Sequence, residues 1–472
     1  MATTTTANDN TDTSILAQHT ETTTIANNDP NSSLFTQEVV QVQIPPAPSP
    51  NLRFASLRHW FSYSEKTSEM AEARLLGRLQ FFSMEGRTVA SPEQSKTIAR
   101  VGQVDLDGDG KRKINTLVID QKGNDFVIEN GVVGAELAKD NDGSGYSSSS
   151  SSKSQIVDEA LGFTSIPQTD LEVKSHTDNI SEDNQSSKNL KHLVMCHGFG
   201  AGLGFFYRNY HGLSQVPGWR IYSIDWLGMG RSSRPRFNII ANSLDESVEQ
   251  AENFFVDSLE KWREIHKIEK MTLLGHSLGG YFSAVYALKY PKRVERLLLV
   301  SPVGIPINPY KDKNSEIKTP GGRRVPGWIV RLWNANITPQ SVLRWTGPFG
   351  PSLVSRYTSQ RFAYLEEQDR IDLHDYIYHI SLAPGSGEYA LSKILAPGAF
   401  ARKPLIHRLS QLKMPTTFLY GENDWMDYRA AEEAATTMSV PTKVIRIPRA
   451  GHHLYLDNPP DFDKAVVAEM LV

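Results

Sequence analysis

Cysteine is nearly absent from this sequence: Cys196 is the only one in 472 residues. A lone cysteine excludes an internal disulfide and favours a reducing compartment. Because Cys196 lies in an apolar run typical of a buried strand, we predict that it is a core residue and not a nucleophile. The chain also lacks any run of 18 apolar residues, which argues against a membrane-spanning helix and leaves peripheral contact with lipid.

Charge and N-terminal composition argue against other classes of protein. The net charge of −3 is too balanced to favour nucleic-acid binding. Residues 1–50 contain no lysine or arginine and end in a proline-rich stretch, so we expect them to be disordered. Their composition fits neither an arginine-rich mitochondrial transit peptide nor a secretion signal, which needs an apolar core. Residues 139–190, which contain a run of six serines, are expected to form a second disordered segment.

A serine between glycines marks the turn from a predicted strand to a predicted helix. Residues 275–279, Gly-His-Ser-Leu-Gly, follow the apolar residues 271–274 and precede the helix-like residues 280–287. Glycines two positions either side of Ser277 permit a strained turn that lifts the hydroxyl out of the sheet edge. This context predicts that Ser277 is a nucleophile and that the chain breaks or transfers an acyl bond.

The partners that a nucleophilic serine needs follow it along the chain in the order Asp, His. The last predicted strand leads to His452, which we predict to be the general base that takes the proton of Ser277. His453 is interpreted as a packed or solvated neighbour. The preceding predicted strand leads to Asp424, which would orient His452. Asp427 is the alternative acid if the turn after that strand is longer.

A serine nucleophile also needs backbone amides that stabilise the oxyanion of its tetrahedral intermediate. Residues 193–196 are predicted to be a buried strand that leads into a glycine-rich loop, 198–202. We predict that the amides of Phe199 and Leu278 form the oxyanion hole. The loop matches neither a phosphate-binding nor a dinucleotide-binding pattern, so no cofactor is predicted.

Residues 105–110, Asp-Leu-Asp-Gly-Asp-Gly, imitate the start of a calcium-binding loop. Such a loop needs an apolar residue at its eighth position and a glutamate at its twelfth, where this sequence has Arg112 and Thr116. Two strands joined by an Asp-Gly turn explain the segment better. No metal site is therefore predicted.

Predicted strands alternate with helical stretches such as residues 248–262, a pattern that favours a parallel sheet with right-handed crossovers. Residues 303–410 interrupt this pattern and are predicted to form a lid. Arginines alternate with apolar side chains in this segment, and most of the apolar ones should pack on the core. A stripe of them would also suit acyl chains and an anionic membrane surface; it consists of Trp328, Leu332 and Trp333 beside Arg324, Arg331 and Arg344.

These motifs together resemble those of α/β-hydrolases, and within them a lipid-acyl subfamily. The subfamily includes fungal cardiolipin-specific deacylases, plant and fungal lysophosphatidic acid acyltransferases, and mammalian lipolysis co-activators. The segments that carry the resemblance beside Ser277 are 71–76, 197–202, 225–232, 347–351, 376–379, 387–388, 424–426 and 452–457. The resemblance implies an α/β-hydrolase fold, with a mostly parallel sheet flanked by helices and a helical lid insertion.

The fold that this resemblance implies divides the chain into six segments. They are a disordered tail (1–50), an N-terminal helix with the first strands (51–138), a disordered insertion (139–190), the core with the nucleophile (191–302), the lid (303–410) and the core with the acid and the histidine (411–472). The resemblance implies that Ser277, Asp424 and His452 remove a fatty acyl chain from a glycerophospholipid. Cardiolipin is the leading substrate, in phospholipid remodelling.

Alternative activities remain open at this stage. The runner-up is acylation of lysophosphatidic acid, with acyl-CoA as co-substrate, because His452 and Asp457 form the H-x-x-x-x-D pattern of the subfamily's acyltransferases. Asp457 is also explained as the start or cap of the final helix. A small-molecule esterase is a further alternative. A non-catalytic co-activator is disfavoured, because the co-activators of this subfamily lack the serine.

The resemblance also implies a location and a partner. It implies a mitochondrial, membrane-associated protein, whereas the arginine-free N-terminus argues against a transit peptide. The cytoplasm and the surface of lipid droplets are the alternatives. The expected partners are a phospholipid substrate and an anionic membrane surface, and the sequence does not identify any protein partner.

Overall fold

A mostly parallel sheet with a core on each face forms the scaffold of the protein in this computed structural model. The structure describes residues 64–84, 87–88, 97–121, 127–129, 132–134, 190–310, 316–320 and 322–472. The predicted tail, 1–50, and the predicted insertion, 139–190, lie outside these residues except for Leu190.

Ten strands of the described residues form the main sheet: β1 (Phe82–Met84), β2 (Arg87–Thr88), β3 (Thr97–Asp105), β4 (Lys113–Gln121), β7 (Lys191–Cys196), β8 (Trp219–Ile224), β9 (Met271–His276), β10 (Val294–Val300), β13 (Thr416–Gly421) and β14 (Thr442–Ile447). They lie in the order β14-β13-β10-β9-β7-β8-β4-β3-β1-β2. The six neighbours from β14 to β8 are all parallel, whereas β4 is antiparallel to β8 and to β3. Two small hairpins pair β5 (Val127–Glu129) with β6 (Val132–Gly134) and β11 (Leu395–Ala396) with β12 (Phe400–Ala401).

Helices cover both faces of the sheet and give it two cores. Alternate residues of one strand point to opposite faces: Val194 and Cys196 of β7 lie in one core, and Leu193 and Met195 lie in the other. Cys196 is fully buried, as predicted, and burial raises the pKa of its thiol. The helices are α1 (Glu65–Leu76), α2 (Tyr210–Leu213), α3 (Leu244–Ile265), α4 (Leu278–Lys289), α5 (Gly327–Asn334), α6 (Pro339–Trp345), α7 (Gly350–Arg361), α8 (Glu367–Leu382), α9 (Leu391–Ile394), α10 (Arg429–Thr437), α11 (Leu454–Asp457) and α12 (Pro459–Met470).

Local signals explain where the longest helix begins. The side chain of Ser243 accepts a hydrogen bond from the amide of Glu246 at 3.1 Å and so caps α3. The helix then buries one apolar face, which includes Phe255 and Trp262.

Strands alternate with crossover helices along the chain, and the fold is the α/β-hydrolase fold that the sequence predicts.

The segment that imitates a calcium loop is a hairpin turn between β3 and β4. The carboxylate of Asp105 accepts hydrogen bonds from the amides of Asp107, Gly108 and Gly110, at 3.2, 3.0 and 2.6 Å. Its oxygens therefore stabilise the turn, in agreement with the interpretation as two strands joined by an Asp-Gly turn. Across the described residues, no group of three or more His, Cys, Asp or Glu side chains is placed to hold a metal.

Helices α5 to α8 lie between β10 and β13, in the segment predicted to be a lid, and we keep that name for them. Arg78, just beyond the end of the N-terminal helix α1, ties this end of the helix to the lid, because it pairs with Asp369 and Asp372 of α8, each at 2.5 Å. Arg74 forms a further ion pair with Asp375 of the same helix. None of the helices in the described ranges is both long and apolar enough to cross a bilayer.

Candidate active site

Ser277 lies at a strained turn between β9 and α4. Its φ of 54° and ψ of −116° are rare for a residue with a side chain, and such backbones typically cost about 1–3 kcal/mol and mark functional sites. The glycines on either side are required by close contacts. A Cβ at Gly275 would lie 2.3 Å from the hydroxyl oxygen of Ser283, and one at Gly279 would lie 2.2 Å from the carbonyl oxygen of His197.

The structure brings Ser277, His452 and Asp424 into one hydrogen-bonded series. The distance from Nε2 of His452 to Oγ of Ser277 is 3.0 Å, and that from Nδ1 of His452 to Oδ1 of Asp424 is 3.1 Å. Since the carboxylate can only accept, Nδ1 carries the proton and Nε2 is free to accept one from the serine. The arrangement has the geometry of an activated nucleophile with its base and its orienting acid.

Asp424 is held by two further donors. Burial alone would raise its pKa, but hydrogen bonds from His452, the amide of Met426 and the hydroxyl of Ser301 together keep it below the ordinary value. The alternative acid, Asp427, does not reach His452. Its carboxylate accepts instead from the backbone and the guanidinium of Arg429, at 3.1 and 2.8 Å.

A second histidine, His276, fixes the backbone of the first. Its Nε2 donates to the carbonyl oxygen of His452 at 2.9 Å. Burial, followed by the proximity of His452, holds the pKa of His276 well below its ordinary value. The side chain is therefore a neutral hydrogen-bond donor within the elbow, a role that the sequence analysis missed although His276 lies next to the serine.

His453 is a half-buried packing residue that also lines the cavity in front of Ser277. Its ring lies near His276 and Phe205, and its Nδ1 accepts a hydrogen bond from Nη2 of Arg361 at 3.1 Å. Burial and the neighbouring His276 hold its pKa well below the ordinary value. His453 is thus a neutral packing residue, as one of the two sequence interpretations expects.

The loop that carries Phe199 lies directly against the elbow. A Cβ at Gly198 would lie 2.9 Å from Cβ of Ser277, so a glycine is needed for this approach. Phe199 and Leu278, the residues predicted to form the oxyanion hole, both line the cavity in front of the serine. The loop is anchored behind by Asp225, whose Oδ1 accepts from the amide of Leu203 at 2.6 Å.

Asp225 belongs to a buried polar network that the sequence analysis missed. Its Oδ2 accepts from the amide of Arg231 at 2.7 Å and from Nδ2 of Asn115 at 2.9 Å. The guanidinium of Arg231 pairs at 2.6 Å with Glu72 of α1. Burial is the main reason that the pKa of Glu72 is raised, to about 7.

A cavity of about 970 Å³ opens in front of Ser277, at the upper end of the volume typical of ligand sites. Its apolar lining comes from the core and from the lid, and includes Val303, Trp333, Ile377, Leu391 and Leu395. Three arginines also line it: Arg323, Arg361 and Arg449.

The structure corrects part of the predicted lipid-binding stripe. Trp328 is 64% exposed, whereas Trp333 lines the cavity and donates from its indole nitrogen to the carbonyl oxygen of Leu395 at 3.0 Å. Arg344 is not available to a headgroup, because its guanidinium pairs with Glu388 at 2.5 Å, and the Glu388 side chain is only 4% exposed. The pattern alone gave no sign of this buried partner 44 residues away.

The interpretation of Asp457 as the start or cap of the final helix is wrong. Asp457 ends the short helix α11, and α12 is capped by Asn458, whose side chain accepts from the amide of Asp461 at 3.4 Å. Asp457 instead lines the cavity, where its carboxylate contacts Arg361 and the amide of Gly451.

Comparisons with known proteins agree with this fold. A family model described as alpha/beta hydrolase fold matches residues 191–459. A rice protein named probable 1-acylglycerol-3-phosphate O-acyltransferase is 44% identical over 288 residues, which cover 60% of this chain and 67% of that protein. The match to the Arabidopsis 1-acylglycerol-3-phosphate O-acyltransferase is 45% identical over 282 residues and covers 58% of this chain but 65% of that protein, so the chain spans just under two thirds of its length. A mouse (lyso)-N-acylphosphatidylethanolamine lipase is 38% identical over 288 residues, covering 59% of this chain and 78% of that protein.

Proposed function

Because the chain belongs to the α/β-hydrolase family, we propose that Ser277, His452 and Asp424 form a catalytic triad that cleaves an acyl ester of a glycerophospholipid. The observation that carries the proposal is the hydrogen-bonded series of these three side chains, which opens into a large cavity with apolar walls. The relatives support a lipid as substrate, since their names describe an acyltransferase and a lipase that act on phospholipids.

The geometry supports a two-step mechanism through an acyl-enzyme. Nε2 of His452 takes the proton of Ser277 while Oγ attacks the ester carbonyl, and the amides of Phe199 and Leu278 stabilise the oxyanion. The intermediate collapses, and His452 gives its proton to the leaving lysolipid oxygen. Water, deprotonated by His452, then releases the fatty acid from Ser277.

The lining of the cavity supports a substrate with both an apolar part and an anionic part. Apolar side chains line the cavity where an acyl chain would lie. Arg323 and Arg449 line it with exposed side chains, and a phosphate group would pair with either. Cardiolipin is our first candidate on the strength of the subfamily resemblance, and it would be cleaved in phospholipid remodelling.

The second candidate is acyl transfer to lysophosphatidic acid. The names of the rice and Arabidopsis relatives favour it. In this reaction acyl-CoA would acylate Ser277 with release of CoA, and a lysolipid hydroxyl would take the place of water in the second step. A non-catalytic co-activator is not supported, because the serine and both of its partners are in place.

Exposed aromatic side chains support peripheral contact with an anionic membrane. Trp345, Phe349, Leu353 and Tyr357 are all exposed and recur every four residues through the end of α6 and into α7. Tyr357 also lines the cavity, so a lipid surface against this stripe would meet the cavity mouth. We place the protein at a mitochondrial membrane on resemblance alone, with the cytoplasm and the lipid-droplet surface as alternatives that a fluorescently tagged chain would distinguish.

One pair of assays tests the proposal. Purified full-length protein is incubated with acyl-labelled cardiolipin, and separately with lysophosphatidic acid and labelled acyl-CoA. Free fatty acid and lysolipid in the first assay support the hydrolase, and labelled phosphatidic acid in the second supports the transferase. The Ser277→Ala variant is the control and should be inactive in both. Equal activity of this variant and the wild type would refute the triad.

A further inference from the structure

The carboxylate of Asp457 joins the histidine-bearing turn to the lid. Its Oδ2 accepts from the amide of Gly451, the residue before His452, at 2.8 Å. Arg361 of α7 donates to both oxygens, at 3.2 Å each. The hydroxyl of Tyr364, just beyond α7, donates to Oδ1 at 2.5 Å. One side chain, only 10% exposed, therefore contacts the loop of the base and two residues of the lid.

These contacts occupy the acceptor positions of the carboxylate. A carboxylate offers about four such positions, and Asp457 receives four donors, two on each oxygen. Three of these hydrogen bonds come from the guanidinium of Arg361 or the phenol of Tyr364. Asp457 therefore has no acceptor position left with which to take a proton from a substrate hydroxyl.

The turn that Asp457 contacts is fixed from two sides. His276 donates to the carbonyl oxygen of His452, and Asp457 accepts from the amide of Gly451, the residue before His452. The direction of the imidazole depends on this backbone, because its two ring nitrogens must meet Asp424 and Ser277 at once.

We infer that Asp457 is a positioning residue that couples the lid to the general base, and that it takes no part in acyl transfer as an acid or a base. Because Asp457 is bound by Arg361 and Tyr364, the position of the lid determines how rigidly Gly451 and His452 are held. The inference rests on the proposed function, since it assumes that His452 activates Ser277. It predicts that substitution of Asp457 lowers the rates of hydrolysis and of acyl transfer equally, because both reactions use the same histidine.

Labelling of Ser277 by a fluorophosphonate tests this inference on the full-length protein. The reagent reports the nucleophilicity of the serine without a lipid acceptor. In Asp457→Asn the side chain keeps one acceptor oxygen, and its new amide nitrogen is a donor that faces the donors of Arg361 or Gly451. We therefore expect the histidine turn to shift slightly. The labelling rate and kcat should each fall by about 10-fold, the scale of a small misplacement of a catalytic group. KM should change little, and the ratio of transfer to hydrolysis should not change.

Four further variants separate positioning from loss of fold. Arg361→Gln should reproduce the fall in labelling rate, and the double variant with Asp457→Asn should be no slower than the worse single variant, because both remove the same link. Tyr364→Phe removes one of the four donors and should give a smaller fall; it tests the inference even if Asp457→Asn does not fold. Arg344→Gln breaks a lid ion pair that does not contact the histidine turn and should label within about twofold of wild type.

The outcomes are distinct. Wild-type labelling of both Asp457→Asn and Arg361→Gln would overturn the inference and leave the triad intact. A loss confined to transfer onto lysophosphatidic acid, with normal labelling and hydrolysis, would also overturn it and assign Asp457 to the acceptor. Failure of the reagent to label wild-type Ser277 would refute the proposed function itself, and this inference with it.

Discussion

Two aspartates three residues apart allow a sharp test of the triad. Asp424 contacts His452, and Asp427 contacts Arg429, so Asp424→Asn and Asp427→Asn are matched substitutions with different expected effects. In Asp424→Asn the amide can keep its oxygen toward His452 and Met426 and donate from its nitrogen to Ser301. The opposite orientation would place the amide nitrogen against two donors and is disfavoured.

The preferred orientation preserves the tautomer of His452 and removes only the negative charge. At an effective dielectric of about 20, two unit charges about 4 Å apart attract each other by about 4 kcal/mol. Loss of this attraction to the imidazolium that forms in the transition state corresponds to roughly a 10³-fold fall in kcat/KM. An asparagine that fixed the wrong tautomer would cost about 10⁴-fold. Asp427→Asn should stay within about threefold of wild type, since its partner Arg429 is an exposed side chain.

The assay is hydrolysis of a soluble short-chain ester, with thermal melting as the check on folding. Ser301→Ala combined with Asp424→Asn removes the hydroxyl that receives the amide nitrogen, so the preferred orientation loses support and the double variant should be slower than Asp424→Asn alone. The reasoning would be refuted if Asp424→Asn kept activity within tenfold of wild type. It would also be refuted if both single variants lost the same activity.

Three other substitutions have expected outcomes. Gly279→Ala should lower the melting temperature by several degrees, because its Cβ would meet the carbonyl of His197 at 2.2 Å; unchanged melting would contradict this. Burial raises the pKa of Asp463 to about 7, so the folded wild type loses stability as pH rises from about 4 to 7. Asp463→Asn should therefore raise the melting temperature at pH 8 and much less at pH 4, and an equal effect at both would count against the shift. Phe349→Ser changes a side chain that is 73% exposed and should weaken sedimentation with anionic vesicles. The control Ile240→Ser changes a side chain that is 76% exposed but lies outside the stripe, and it should not weaken it. Equal binding by both variants and the wild type would refute the stripe as a membrane contact.

Local patterns explain why much of the fold could be predicted from the sequence. Apolar runs predicted the strands β7, β9, β13 and β14, and the glycines around Ser277 predicted the elbow because each meets a backbone or side-chain atom that excludes a Cβ. The imitation of a calcium loop was recognised as a turn because its missing ligands could be counted. These features depend on residues close together in the chain.

The contacts that were missed join residues far apart. His276 and the carbonyl of His452 are 176 positions apart, Ser301 and Asp424 are 123 apart, and Arg361 and Asp457 are 96 apart. No period or motif encodes such pairs, because they depend on which loops meet at the edge of the sheet. The choice between Asp424 and Asp427 depended in the same way on the turn after β13, whose shape the sequence alone does not give.

The N-terminal helix illustrates how far the supporting structure extends beyond the recognisable motifs. The family model matches residues 191–459, but α1, at residues 65–76, supplies Glu72 to the guanidinium of Arg231 and to Asn115. Through them it braces Asp225, which anchors the loop that carries Phe199. Arg74 of α1 pairs with the lid helix α8, and so does Arg78, which lies just beyond the end of α1. Since one helix contacts both the loop behind the serine and the lid above it, α1 is a structural part of the proposed catalytic unit, and a chain reduced to the matched residues would leave Arg231 without its closest carboxylate.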